Sequence, residues 1–151
     1  MHVWVINPRG ELLIQQRAKK LVFDDCWEVS IGGGLAAGEV PAAAAARELQ
    51  EELGLVVSPD DLDDLGEWPM PKRIPERDQM TYEFSCTFLL HRDVDLAKLK
   101  LEPKEVVDVA WLSLKDLEAK INDATEYKKW VPHPRDYYLN VIKLIRQKTT
   151  K

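Results

Sequence analysis

The chain has 151 residues, 45% of them hydrophobic, and a formal net charge of −5 at pH 7. A chain of this length and composition can bury a substantial core, so we expect one domain over residues 1–151, and the acidic balance argues against a nucleic-acid polymer as its partner. No apolar run is long enough to span a bilayer, and the first residues lack the charged segment of a signal peptide, so we expect a cytoplasmic protein without membrane contact.

Hydrophobic patterning predicts a pair of strands at the start of the chain. A continuous apolar run over residues 1–7 leads into an Asn-Pro-Arg-Gly turn at 7–10, and a second strand follows over 11–16. A third short strand is predicted over 27–31, immediately before three consecutive glycines at 32–34. Glycine lets the backbone approach a metal ion or a phosphate closely, because no Cβ intrudes.

The segment 41–53 is predicted to form a helix. Pro41 suits a first helical turn, where its missing N–H is not needed, and the five alanines at 42–46 have the highest helix propensity of any residue. Gly54 stands where a residue in the left-handed conformation commonly ends a helix. An apolar stripe is expected to face the core, and it consists of Ala42, Ala46, Leu49 and Leu53.

Three glutamates share one narrow face of this helix. At about 100° per residue, Glu51, Glu48 and Glu52 lie at roughly −60°, 0° and +40° around its axis. Carboxylates so close repel one another, so a positive partner is required. Hard oxygen ligands suit Mg²⁺ or Mn²⁺, which also accept phosphate oxygens. The alternative for an acidic run of this kind is a solvated helix face.

The remaining pattern predicts an α/β fold with a mixed sheet between helices. The predicted elements are a strand over 65–70, a polar loop over 71–78, a half-buried strand over 80–90, a strand over 106–111, and helices over 114–120 and 136–147. The last helix carries Tyr138, Val141, Ile142 and Ile145 on one face.

The cysteines and histidines show no spacing typical of a metal site. Cys26 and Cys86 are far apart and belong to no C-x-x-C pattern, so we interpret them as reduced thiols. His2, His91 and His133 are scattered along the chain, and we interpret them as incidental.

Nine positions match the pattern G-x5-E-x7-R-E-U-x-E-E-x-G-U, where U is an aliphatic residue. They are Gly33, Glu39, Arg47, Glu48, Leu49, Glu51, Glu52, Gly54 and Leu55. The chain therefore resembles the Nudix hydrolases, whose signature this is. The resemblance implies an α/β/α sandwich and the metal-dependent hydrolysis of a small-molecule diphosphate, most often a nucleoside diphosphate derivative. It also makes a homodimer possible, with the exposed face of 137–145 as a candidate interface.

The resemblance also implies roles for single residues. Glu48, Glu51 and Glu52 would hold Mg²⁺ or Mn²⁺, with the backbone carbonyl of Gly32 as a further ligand. Structural support would come from Gly33, Glu39 and Gly54, and Arg47 would hold the loop and helix in register. Family members commonly add a carboxylate from outside the signature. Among Glu102, Glu105 and Asp108 we favour Glu105, and the predicted catalytic residues are Glu48, Glu51, Glu52, Arg47 and Glu105.

The segments 10–17 and 27–33 are similar to the Nudix branch that contains isopentenyl diphosphate isomerase. In that branch, basic residues after the second strand contact the diphosphate, which makes Arg17, Lys19 and Lys20 candidates for substrate binding. A solvated strand end is the alternative for these three. Further candidates for phosphate contacts lie in the loop before the long strand, Lys72, Arg73 and Arg77, and the alternative for these is ordinary loop charges.

Two other functions remain open beside hydrolysis. For an isomerase, the catalytic cysteine would fall at Gly32 and a metal-binding histidine at Gly34, and glycine can perform neither task through a side chain. A non-catalytic nucleotide-binding module often lacks one of the signature glutamates, whereas this chain has them all. Hydrolysis is therefore favoured, and no pattern in the chain predicts the leaving group.

Overall fold

The computed structural model describes residues 1–19, 22–74 and 77–149, and the structural statements below refer to these residues. They contain seven β-strands and four α-helices. In chain order the elements are β1 His2–Ile6, β2 Glu11–Arg17, β3 Trp27–Glu28, β4 Ile31–Gly32, α1 Pro41–Leu53, β5 Leu62–Ile74, β6 Gln79–His91, β7 Val106–Ser113, α2 Leu114–Asn122, α3 Ala124–Tyr127 and α4 Arg135–Thr149.

The strands form one mixed sheet. Its path runs β3-β2-β1-β6-β5, with β7 beside β2 and β4 beside β1. Strand β1 is antiparallel to β2 and parallel to β6. Helices cover both faces, so the predicted α/β architecture with a mixed sheet between helices is confirmed.

The predicted single strand over 27–31 is wrong, because the chain changes partners within it. Strand β3 pairs with β2, whereas β4 pairs with β1. Between them, the Ser30 hydroxyl accepts from the Val5 N–H at 2.8 Å and donates to the Leu13 carbonyl. The two short strands thus continue the sheet where direct pairing of β1 with β2 ends, and they carry the chain to the glycines.

Alternate residues of β1 face two separate cores. Trp4 and Ile6 pack against α2 and α4, with Tyr138 and Ile145 among the buried residues of that layer. Val3 and Val5 belong to the opposite layer, beneath α1. Strand β1 is therefore buried on both sides, as its continuous apolar sequence requires.

The predicted loop over 71–78 is wrong for its first half. Strand β5 runs on to Ile74 through Pro69 and Pro71, which is tolerated because β5 ends the path of the sheet and the missing N–H groups face no further strand. The predicted strand over 80–90 is confirmed, since β6 spans Gln79–His91, but the expected burial of one face is found only near its end. Strand β1 supports residues 87–91 of β6, whereas the earlier apolar side chains Met80, Tyr82 and Phe84 are exposed.

The predicted apolar face of the last helix is confirmed. Tyr138, Val141, Ile142 and Ile145 are completely buried in the layer on α4's side of the sheet. The homodimer through the other face stays a prediction. Among the described helices, none is long and apolar enough to cross a membrane.

Replacing Leu49 by alanine tests how firmly the core holds α1. Leu49 is completely buried beneath the sheet, so Leu49→Ala should lower the free energy of unfolding by about 2–5 kcal/mol. Val56 is 70% exposed, and Val56→Ala, the control, should change the free energy of unfolding by less than about 0.5 kcal/mol. Urea unfolding measures both values, and equal losses would show that α1 is not anchored through Leu49.

Candidate active site

Helix α1 ends where the sequence predicts, at Gly54. This glycine has φ = 70°, and its N–H donates to the carbonyls of Gln50 and Leu49. A Cβ at Gly54 would lie 2.8 Å from the Cβ of Lys100, so both the backbone conformation and the available space favour glycine. Leu49 and Leu53 are completely buried in the core, and the glutamates of the last two turns lie on a different face of the helix.

A cleft of about 650 Å³ opens beside these glutamates. Five glutamates line it together with Arg17 and the glycines at 32–34, and these glutamates are Glu48, Glu51, Glu52, Glu102 and Glu105. The structure thus brings together the predicted metal-binding residues, including Gly32, and the predicted outer carboxylate.

Arg47 supplies the positive charge that the carboxylates of α1 require. Its Nε lies 3.0 Å from Glu39, and its Nη1 lies 2.9 Å from both Glu48 and Glu51. The hydrogen bonds to Glu39 first, and then to Glu48, raise the pKa of Arg47. Glu39 in turn accepts the N–H of Ala36 at 3.0 Å. Through Glu39, Arg47 therefore ties the loop over residues 33–40, here called the glycine loop, to the helix. It also offsets the repulsion between Glu48 and Glu51.

Glu52 differs from the other two glutamates of α1 because it is buried. Only 7% of its surface is exposed, and the amide Nε2 of Gln15 lies 3.4 Å from its carboxylate. Gly33 passes close to Glu48, since a Cβ there would lie 3.3 Å from the Glu48 carboxyl carbon. The backbone at Gly33 can approach the helix this closely because glycine has no Cβ.

The loop before β7 forms the opposite wall of the cleft. The Glu102 N–H donates to the carbonyl of Glu52 at 3.0 Å, and the Ala18 N–H donates to the carbonyl of Glu105 at 2.9 Å. These bonds join the loop to the end of α1 and to the end of β2. Glu105, which the sequence favours, reaches the cleft, and Glu102 reaches it too, whereas Asp108 is exposed on β7 and does not line it.

The three basic residues predicted to bind substrate have different positions. Arg17 lines the cleft, and its Nη1 lies 2.6 Å from a carboxylate oxygen of Glu28. Lys19 is exposed and is not among the residues that line the cleft. Lys20 lies outside the described residues. Of the two described residues of this set, Arg17 lines the cleft and Lys19 does not, and their contact with substrate stays a prediction.

A second cavity of about 320 Å³ adjoins the first and shares Arg17 and the three glycines with it. Its walls include Lys72 and Ser85 from the β5–β6 hairpin and three buried ionisable residues, His2, Glu28 and His133. We call it the inner cavity.

The interpretation of the histidines as incidental is wrong for His2 and His133. These two residues and Glu28 lie together, each less than 9% exposed, with one possible ligand atom from each within 4.8 Å of the others. The pattern escapes sequence analysis because the residues are distant along the chain and meet only through β1, β3 and the loop before α4. We call this group the histidine cluster.

Burial controls the protonation of the histidine cluster. Burial, followed by the neighbouring His133, lowers the pKa of His2 well below 6.5. Burial also lowers the pKa of His133, against the opposing influence of Glu28. For Glu28, burial alone would raise the pKa, but the contacts with His133 and the Arg17 guanidinium outweigh it and lower the pKa to about 2. At neutral pH the cluster thus contains a carboxylate and two neutral imidazoles.

Gly32 leaves the space that Glu28 occupies. A Cβ at Gly32 would lie 2.5 Å from the Oε1 of Glu28 and 3.4 Å from the Cδ2 of His2. Contacts that short are not tolerated, and the Glu28 carboxylate is held on its other side by Arg17. Any side chain at position 32 therefore requires the histidine cluster to rearrange.

Comparisons with known proteins agree with this geometry. A NUDIX domain matches residues 1–134. The chain is 31% identical to an uncharacterized Nudix hydrolase of Listeria innocua, over 99% of this chain and 79% of the relative. It is 35% identical to an isopentenyl-diphosphate delta-isomerase of Streptomyces coelicolor, over 76% of this chain and 56% of that protein. The solved NUDIX domain of Shewanella oneidensis NrtR, complexed with ADP ribose, has the same fold, with a TM-score of 0.65 at 17% identity over 97% of this chain and 84% of that one.

The lowered pKa values of His2 and His133 predict loss of stability in mild acid. Below the usual histidine pKa of 6.5, the two histidines bind protons in the unfolded chain but not in the folded chain. The free energy of unfolding should therefore fall as the pH drops. Each histidine contributes a slope of up to about 1.4 kcal/mol per pH unit.

Urea unfolding between pH 7 and pH 5 in the presence of a chelator measures this slope. His133→Gln should reduce the slope by the contribution of one proton, about half of the total. An identical slope in the unaltered chain and the variant would contradict the assignment.

Proposed function

The chain belongs to the Nudix family and is an enzyme of the pyrophosphohydrolase type, and on that basis we propose that it hydrolyses the diphosphate linkage of a nucleoside diphosphate derivative or a similar small phosphorylated metabolite. The observation that carries the proposal is the convergence of five glutamates and Arg17 on one cleft beside glycine backbone. Oxygen donors and a guanidinium in one cleft suit a phosphate-bound divalent ion.

The donor set fits Mg²⁺ or Mn²⁺. Members of the family depend on divalent metals, and the carboxylates of Glu48, Glu51 and Glu52 offer the hard oxygen ligands that such ions prefer. The backbone carbonyl of Gly32, on the same cleft, is the proposed further ligand. When bound, the ions neutralise phosphate oxygens and make a water molecule more acidic.

The chain's own residues bind and orient the reactants. Arg17 presents a guanidinium at the cleft, where it is the proposed partner of a phosphate oxygen. Glu105 approaches from the wall opposite α1 and is the proposed acceptor of the water's proton, with Glu48 as the alternative. Arg47 and Glu39 act through Glu48 and Glu51 by fixing their positions.

Isomerase activity is disfavoured by the structure around Gly32, despite the similarity to an isopentenyl-diphosphate delta-isomerase. Neither Gly32 nor Gly34 provides a proton-transferring or metal-binding side chain. The contact that a Cβ at Gly32 would make with Glu28 also means that a cysteine does not fit here without rearrangement. A purely binding function is disfavoured because every signature glutamate is present and lines or supports the cleft.

The Glu52→Gln substitution tests the hydrolytic site. It keeps the size of the buried side chain but removes a negative charge from the cleft, so kcat should fall by at least about a hundredfold while the circular dichroism spectrum stays unchanged. The matched control is Glu67→Gln on an exposed position of β5, which should retain full activity.

The assay is release of phosphate or nucleoside monophosphate from a panel of diphosphates. Activity should disappear with a chelator and return with Mg²⁺ or Mn²⁺. Full activity of Glu52→Gln would refute the site. Formation of an allylic isomer, or tight binding without turnover, would instead establish one of the two disfavoured functions.

A further inference from the structure

We propose that His2, Glu28 and His133 form a second metal site, suited to Zn²⁺ or a similar transition metal and separate from the glutamates of α1. The proposal concerns metal binding alone and does not depend on the hydrolytic activity. It rests on the arrangement of the three side chains, on a buried imidazole that has no close hydrogen-bond partner and on the residues that orient the ligands.

The three side chains lie close enough together that they could hold a metal ion. One ligand atom from each lies within 4.8 Å of the others, and the Nε2 of His133 lies 3.5 Å from the Oε1 of Glu28. The residues are 7%, 3% and 2% exposed in the order His2, Glu28, His133. Three ligands gathered in a buried position differ from the exposed acidic clusters that commonly occur without an ion.

His133 provides the independent observation. It is almost completely buried, yet its Nδ1 has no hydrogen-bond partner among the residues that the structure describes, and its Nε2 has only the 3.5 Å contact with Glu28. Its Nε2 is too far from Glu28 for a good hydrogen bond. Buried polar groups in folded proteins are nearly always satisfied, so an imidazole of this kind points to a bound partner. A metal ion coordinated by one nitrogen provides it.

Neighbouring residues orient the other two ligands, His2 and Glu28, so that one potential ligand atom of each side chain is directed toward the cluster. The Tyr137 hydroxyl lies 2.7 Å from the Nδ1 of His2 and accepts from the Trp4 indole at 3.1 Å, so Nε2 of His2 remains for coordination. Arg17 binds Oε2 of Glu28 at 2.6 Å, which leaves Oε1 on the side of His133. Partners of this type commonly fix the orientation of metal ligands.

The donor types select the metal. Two imidazoles and one carboxylate suit Zn²⁺ and its neighbours, whereas the all-oxygen set on α1 suits Mg²⁺ or Mn²⁺. Three protein ligands leave a coordination position open, and the inner cavity borders the cluster. The site therefore has room for a water molecule or an anion as a fourth ligand.

Zn²⁺ titration against a chromophoric chelator tests the proposal. To weaken binding at α1, the Glu51→Gln/Glu52→Gln variant serves as the background. It should still bind one equivalent of Zn²⁺ tightly, and adding His133→Ala should weaken that binding by at least about a hundredfold. Adding His91→Ala instead, at a half-exposed histidine, should have no effect. The proposal would be overturned if the Glu51→Gln/Glu52→Gln variant bound no Zn²⁺ tightly. It would also be overturned if adding His133→Ala left the affinity for Zn²⁺ unchanged.

A second measurement avoids variants that fail to fold. Zn X-ray absorption of the unaltered chain, loaded with one equivalent, should show two imidazole ligands. A shell of oxygen ligands alone would place the ion on the glutamates and overturn the proposal, as would the absence of tight Zn²⁺ binding. Because neither measurement requires turnover, a chain that binds Zn²⁺ but hydrolyses no diphosphate would sustain this site and refute only the proposed hydrolysis.

Discussion

The concentration of negative charge on one face of α1 is the constraint on which the site depends. Three carboxylates within little more than one turn repel one another, and nearby positive charge reduces the cost of that repulsion. Arg47 contacts Glu48 and Glu51, and through Glu39 it also fixes the glycine loop. The helix tolerates the arrangement because its opposite face is anchored by Leu49 and Leu53 in the core. Burial of Leu49 and Leu53 on one face of α1 thus stabilises the helix and offsets the repulsion between the glutamates on another face.

The change of strand partner between β3 and β4 gives the cleft its two parts. Register places Glu28 beside Gln15 of β2 and Gly32 beside His2 of β1. A regular strand would keep the whole segment beside one neighbour, and these residues would not meet. The break at Ser30 therefore brings the backbone of the glycines to the α1 carboxylates. It also leaves Glu28 facing the inner cavity.

Local signals explain what the sequence predicts well. Helix α1, its end at Gly54 and the carboxylate face follow from propensity and periodicity within 14 residues, so no tertiary information is needed. The course of β5 through Pro71 is missed because the tolerance of proline depends on the strand's place at the edge of the sheet. The histidine cluster is missed for the same reason, since His2 and His133 are adjacent only after the sheet and α4 have assembled.

Arg17 connects the two parts of the cleft and limits what each can bind. It lines both cavities, and its contact with Glu28 neutralises the only carboxylate of the histidine cluster. The α1 side, by contrast, keeps a large excess of negative charge even with Arg47 present. Nitrogen and oxygen sites generally favour Zn²⁺ over Mg²⁺, so affinity alone would not reserve the glutamates for Mg²⁺. Imidazoles placed a short distance away offer Zn²⁺ a better ligand set, so under the two proposals this division of donors would allow two kinds of ion to bind in neighbouring positions.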